Sequence, residues 1–159
     1  MFKNLFKPKA TNFVAPFDGR IMPIEEVPDP VFSEKAMGDG FAIEMQTGEV
    51  YSPVNGEVIA LFPTGHAIGI KSEDRNQYLI HLGLNTVNFK GEGFTTLVEV
   101  GQKVKQGELI SKVDLEFFKK QSISMISPII VTNANQRKIR ILKEGYVKAK
   151  ESDIIAIIP

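Results

Sequence analysis

Two histidines, His66 and His81, make up the whole imidazole complement of this 159-residue chain. Each stands in an apolar segment of strand character: HAIGIK follows from the first and YLIHLGL surrounds the second, with polar SEDRNQ between them. Desolvation lowers a histidine's pKa, which favours the neutral ring and its nucleophilic nitrogen near pH 7. One such ring can attack while a neighbouring one donates a hydrogen bond to the group being moved. The plainer account of either ring alone is a buried structural histidine bonded to a neighbour. Two together in apolar surroundings favour function.

A β-hairpin must position them. In an antiparallel hairpin residue i faces residue s − i, where s depends on loop length. An even loop, such as Glu73-Asp74, places His66 and His81 on one face with Ile68, Ile70 and Leu79 as companions. Their Cβ atoms would then lie roughly 5 to 8 Å apart. An odd loop would put them on opposite faces.

Balanced charge, 19 basic against 19 acidic residues, gives no support for nucleic acid or an anionic membrane as the main partner. The absence of cysteine removes disulfides, a thiolate nucleophile and Cys-based metal sites, and fits a cytoplasmic location. No apolar run approaches the roughly 20 residues of a membrane span, and no secretory signal is visible. In MFKNLFKPK, residues Phe2, Leu5 and Phe6 can share one side of a helical turn that Pro8 ends. Weak contact with a membrane surface competes there with a disordered or packed terminus.

From Phe13 onward, short apolar runs alternate with turn residues. A-P-F-D-G-R-I at residues 15–21 and S-P-V-N-G-E-V at residues 52–58 align, an internal repeat whose Asp18-Gly19 and Asn55-Gly56 read as hairpin turns. Between the copies, Pro28 and Pro30 oppose regular structure. Val31, Phe32, Ala36 and Met37 lie in that loop-like stretch, either as a plug for one end of a barrel or as an exposed apolar collar. DLEFFKKQS is the best candidate for a short helix, with Asp114 as N-cap. The basic run Arg137, Lys138, Arg140 and Lys143 reads as the wet side of an edge strand. Many strands with closely spaced turns, in a chain with 13 Gly and 9 Pro, indicate an all-β fold: an antiparallel β-sandwich or barrel with short helical turns.

The segments VPDPVFSEKAMGDGFAI, SPVNGEVI, LIHLG-N-TV, GEGF and VEVGQKVKQGELI resemble the enzyme IIA component, glucose family, of the bacterial phosphoenolpyruvate-dependent sugar phosphotransferase system. The resemblance covers nearly the whole chain, and its HLGLNTV…GEGF combination is highly specific. It implies an antiparallel sandwich with a duplicated hybrid motif, in agreement with the repeat. It divides the chain into a flexible N-terminal segment, residues 1–12, and a single phosphocarrier domain, residues 13–159. By match to the family pattern, His81 carries the phosphoryl group on Nε2, His66 stabilises it, and Thr64 orients His66. Val31, Phe32, Ala36, Met37, Phe62, Leu79 and Val87 match the apolar rim where partners dock, and Asp29 an acidic residue beside it. Asn85 stands where many members carry Asp, which removes a charge that helps receive a basic partner.

The implied activity is phosphoryl relay: His81 accepts the group from the histidine phosphocarrier protein and passes it to a cysteine on the IIB domain of a sugar permease. That cysteine must lie on another polypeptide. The relay needs no cofactor, metal or nucleotide. The resemblance also allows a mainly regulatory protein whose unphosphorylated form binds and inhibits permeases or kinases. Two histidines are too few for a structural zinc site, so His66 and His81 could only share a bridging zinc with a partner. A biotinyl or lipoyl carrier, suggested by SPVNGEV and VGQKVKQGELI, lacks a suitably flanked lysine at a hairpin tip.

Overall fold

The computed structural model describes residues 8–159. The helical turn expected around Phe2, Leu5 and Phe6 lies outside the described residues. Thr11 is tied down: its N–H donates to the Ile155 carbonyl at 3.0 Å, and its Oγ1 accepts from the Ile157 N–H at 2.9 Å.

The strands are β1 (Gly19–Pro23), β2 (Asp39–Met45), β3 (Glu49–Tyr51), β4 (Gly56–Leu61), β5 (Ala67–Ser72), β6 (Gln77–His81), β7 (Phe94–Thr96), β8 (Lys103–Val104), β9 (Leu109–Val113), β10 (Ile126–Val131), β11 (Lys138–Ile141), β12 (Gly145–Val147) and β13 (Ile155–Ile158). Two short α-helices, α1 (Pro30–Ser33) and α2 (Leu115–Lys120), and 3-10 turns at Ile24–Glu26 and Thr86–Phe89 join them. The strands pair antiparallel in an eight-stranded sheet, β12-β1-β2-β10-β6-β5-β4-β8, and in two smaller sheets, β3-β9-β7 and β11-β13. This is the all-β sandwich that the turn spacing predicts. No helix among the described residues is long and apolar enough to cross a membrane.

Alternation along the strands separates two apolar layers. Ile21, Phe41, Ile43, Ile129, Tyr78, Ile80, Ile68 and Ile70 point inward to meet Val50, Ile110 and Ile155 of the smaller sheets. Met22, Ala42, Ile130, Leu79 and Ala67 point outward, where Ile24, Val27, Phe32 and Leu84 cover them. This second layer is the floor of the site described below.

The repeat is deeper than the sequence comparison suggests. Val14 N–H donates to Pro53 O (2.9 Å), and Tyr51 N–H donates to Pro16 O (2.8 Å), so the two copies embrace reciprocally. Asp18 Oδ1 accepts from Ala149 N–H (2.6 Å) just as Asn55 Oδ1 accepts from Gln106 N–H (2.8 Å). Gly19 pairs with Val147 as Gly56 pairs with Val104. The Asp-Gly and Asn-Gly dipeptides are therefore not hairpin turns, as their types suggest, but entries into β1 and β4. Their glycines serve close backbone approach. A Cβ on Gly19 would lie 2.0 Å from the Glu44 carbonyl oxygen, and one on Gly56 2.1 Å from that of Lys71.

Candidate functional site

His81 closes β6 and points outward, on the same face as Leu79. Its Nδ1 donates to the Gly83 carbonyl at 2.8 Å. A carbonyl only accepts, so the neutral ring keeps its proton on Nδ1 and presents a lone pair at Nε2. The His66 ring lies 5.0 Å from that of His81, centroid to centroid, with the planes crossing at 73°. Its Nδ1 bonds Thr64 Oγ1. When that hydroxyl donates, His66 carries its proton on Nε2 and becomes a donor there. Among the described residues neither Nε2 has a hydrogen-bond partner, and neither is sealed from solvent.

Burial lowers the pKa of both rings. For His81 the Gly83 hydrogen bond opposes this, His66 adds to it, and the Asp29 charge opposes it more weakly. Both imidazoles are thus biased toward the neutral, nucleophilic form.

The rings meet by a route different from hairpin parity. The β5–β6 loop is the odd one: Ser72 N–H donates to Asn76 O at 2.8 Å across Glu73-Asp74-Arg75, with Arg75 at φ 73°. A type I turn with a left-handed residue makes such a three-residue loop. The register pairs Ala67 with His81, so Ile68 and Ile70 face the inner core and are not companions of the histidines. Leu79 is. His66 escapes the parity because it precedes β5. The turn Phe62–Gly65, closed by Gly65 N–H to Phe62 O at 2.8 Å, passes through Gly65 at φ 74° and swings the next side chain onto the outer face.

Around the rings is a shallow depression of about 220 Å³, lined by Asp29, Val31, Phe32, Met37, Phe62, Leu79, Asn85 and Val87 with the two histidines. Phe32 packs against His81 with centroids 4.9 Å apart, and Phe62 against His66 at 5.1 Å. Phe32 is buried, whereas Val31 is 48%, Met37 37%, Phe62 41% and Val87 48% exposed. The loop between the repeats is thus the collar, not the plug. Ala36 is exposed beside Met37 but does not line the depression. Pro30 stands at the first position of α1, where it costs no hydrogen bond, so Pro28 and Pro30 do not exclude helix. Asp29 caps α1, its Oδ1 accepting from Val31 N–H at 3.0 Å. Asn85 adopts a left-handed conformation (φ 60°) before the 3-10 turn that carries Val87.

A larger groove of about 840 Å³ runs at the far end of β4 and β5, among Glu57, Lys71, Lys103 and Glu108. Its mixed charges are those of a solvated face, and it contains no imidazole. Among the described residues no group of three or more His, Asp or Glu side chains converges. The two histidines would hold an ion only with ligands from another chain. Gly65, Gly83, Thr86 and Ser127, which shape the site, escape residue-type reasoning; adjacency of the two glycines to the histidines is the only local hint.

The chain matches the family described as phosphoenolpyruvate-dependent sugar phosphotransferase system, EIIA 1, over residues 11–137. Fold and site thus define a IIA component of a sugar phosphotransferase system, with a role in phosphoryl transfer. It is 46% identical to the glucose-specific EIIA component of Oceanobacillus iheyensis, with 99% of each chain covered. It is 48% identical to the glucose-specific EIICBA component of Staphylococcus carnosus over 89% of this chain and 21% of that protein. Glucose permease IIA from Mycoplasma capricolum superposes with a TM-score of 0.85 at 39% identity, covering 92% of this chain and 96% of that one. The chain belongs to the glucose family of EIIA components.

Proposed function

We propose that His81 is the phosphoryl acceptor, that it takes the group from the histidine phosphocarrier protein, and that it hands it to a cysteine on a IIB domain of a sugar permease. The observation that carries this reading is the pairing of the two rings: each Nδ1 is engaged, by Gly83 and by Thr64, and each Nε2 is free at the floor of an open depression.

The Nε2 lone pair of His81 attacks phosphorus in line. A P–N bond forms to His81 as the donor's P–N bond breaks, and the departing imidazole keeps that electron pair. In the second transfer a cysteine thiolate forms a P–S bond, and the P–N electrons return to Nε2. The proton stays on Nδ1, donated to the Gly83 carbonyl, throughout. His66 donates from Nε2 to a phosphoryl oxygen, while Thr64 holds its tautomer. Positioning and charge stabilisation provide most of the catalysis in such a transfer.

The exposed collar of Val31, Met37, Phe62 and Val87 suits docking of two proteins in turn. Residues 13–159 act as one carrier unit, since a single inner core runs from Phe13 to Ile155. A relative whose name joins A with B and C parts in one protein supports the B domain as recipient. Both exchanges belong to the cytoplasm, where the phosphocarrier and the B domain would be met.

The test mixes the protein with enzyme I, phosphocarrier protein and labelled phosphoenolpyruvate, then maps the acid-labile phosphate. His81→Ala should take no label. His66→Gln should accept label but fail to pass it to a IIB domain. A folded His81→Ala protein that still accepts label would overturn the assignment.

A further inference from the structure

The Gly83 carbonyl decides which nitrogen of His81 is nucleophilic, so whatever aims that carbonyl takes part in the reaction at one remove. Four hydrogen bonds hold the segment. Leu82 N–H donates to His66 O at 2.7 Å, and Thr86 Oγ1 donates to Leu82 O at 2.6 Å. Gly83 N–H donates to Ser127 Oγ at 3.0 Å, and Leu84 N–H donates to Ser124 O at 3.1 Å. Only two of these come from side chains, and both Thr86 and Ser127 are fully buried.

Ser127 has the sharper role. It lies on β10, and its hydroxyl hydrogen is committed to the Met125 carbonyl at 3.0 Å. The oxygen lone pair is therefore fixed in direction and meets the Gly83 N–H. Gly83 has φ 80°, a region where glycine has wide freedom. The Gly83 N–H belongs to the peptide before the glycine and its carbonyl to the peptide after it, whose Leu84 N–H meets Ser124 O. Without the Ser127 partner, rotation about the glycine's own φ and ψ can carry the carbonyl away from His81 Nδ1. Ser127 shares the inner face of β10 with Ile129 and Val131, so its hydroxyl is a polar group inside an apolar layer and needs a reason beyond packing.

Building on the acceptor role of His81, we propose that Ser127 is a positioning residue for phosphoryl transfer. By fixing the Gly83 N–H it steadies the glycine whose carbonyl holds His81 in the Nδ1–H tautomer, and so frees Nε2 for attack. Free imidazole side chains have no partner to impose that choice, so loss of the lock redistributes the proton between the two nitrogens.

The test is imidazole 15N–1H correlation NMR of the unphosphorylated protein above the His81 pKa, alongside the rate of label uptake. The wild-type protein should show His81 as Nδ1–H and a Gly83 amide protected from exchange. Ser127→Ala should shift His81 toward a tautomer mixture and slow acceptance about tenfold, the rate equivalent of one hydrogen bond. Ser127→Thr, which keeps the hydroxyl, should restore both. Ser127→Val, which matches the Thr variant in shape but lacks the hydroxyl, should behave as Ala. An Nε2–H tautomer in the wild type, or an unchanged tautomer in a folded Ala or Val variant, would overturn the proposal. Should the Ala and Val variants fail to fold, an Nε2–H tautomer in the wild type still overturns the proposal. Because the spectrum is read without phosphate, label mapping to a residue other than His81 would refute the acceptor assignment separately.

Discussion

The Leu82 N–H donates to the His66 carbonyl at 2.7 Å, one step past the last ladder pair, Ala67 with His81. The backbone of His66 thus continues the sheet while its ring faces outward to His81. The device that permits this is Gly65, at φ 74°, where a Cβ would also lie 3.1 Å from Phe94 Cβ and from Thr96 Oγ1. Gly65→Ala is expected to cost about 1–2 kcal/mol from the left-handed backbone alone. It should also displace the His66 ring. Thermal unfolding checks the first effect, and the His66 imidazole resonances check the second.

Both histidines should titrate below 6.5, since burial is the leading cause of each lowered pKa. The unfolded chain binds protons on these rings near 6.5, while the folded chain still leaves them neutral. Their contribution to stability is therefore complete above 6.5 and is lost as pH falls through the window below it, levelling beneath the folded pKa. NMR titration locates the midpoints. Label uptake should fall in the same window, because protonation removes the Nε2 lone pair. Midpoints above 6.5 would contradict the desolvated site.

Tyr78 is buried in the inner core, and its hydroxyl has no hydrogen-bond partner among the described residues. Tyr78→Phe should therefore be neutral or stabilising, by up to about 1 kcal/mol in urea unfolding. Burial, then the Asp74 charge, raises the phenol pKa well above its usual 10.0. The folded state retains the proton that the unfolded state releases above 10.0. The wild type should lose stability as pH rises through that region, and Tyr78→Phe should lose less.

Asn55 and Asp18 hold equivalent loops through the same side-chain oxygen. Asn55→Asp keeps an acceptor that the other copy already uses, so its cost should stay near zero. Asn55→Ala leaves the Gln106 N–H without that partner and should cost about 1 kcal/mol. Paired chemical unfolding curves for the two variants test the equivalence.

The all-β class, the short helix capped by Asp114 and the edge strand in the basic run after Gln136 were legible because each depends on local pattern: alternation, cap residues and turn residues. Asp114 does cap α2, accepting from Phe117 N–H at 3.1 Å. The first half of the repeat was legible from residues 15–21 and 52–58. Its second half was not, because Val104 and Val147 are matched by their pairing with Gly56 and Gly19, across strands distant in sequence. Within the site, the two histidines were visible as residue types; Val31 and Met37 stood open between plug and collar, and Phe62 and Val87 came only with the family resemblance. Ser127 was not, since a serine in a strand carries no local mark of which distant amide it meets.

Composition and pattern alone determined that two imidazoles would sit among apolar strands in an antiparallel sandwich. They could not determine how the rings meet. The choice between an even and an odd loop turned on one left-handed residue, Arg75, and parity was then bypassed by another, Gly65. Backbone conformation at single residues is set by contacts from the rest of the fold, so the ring pair and its open collar belong to the tertiary structure.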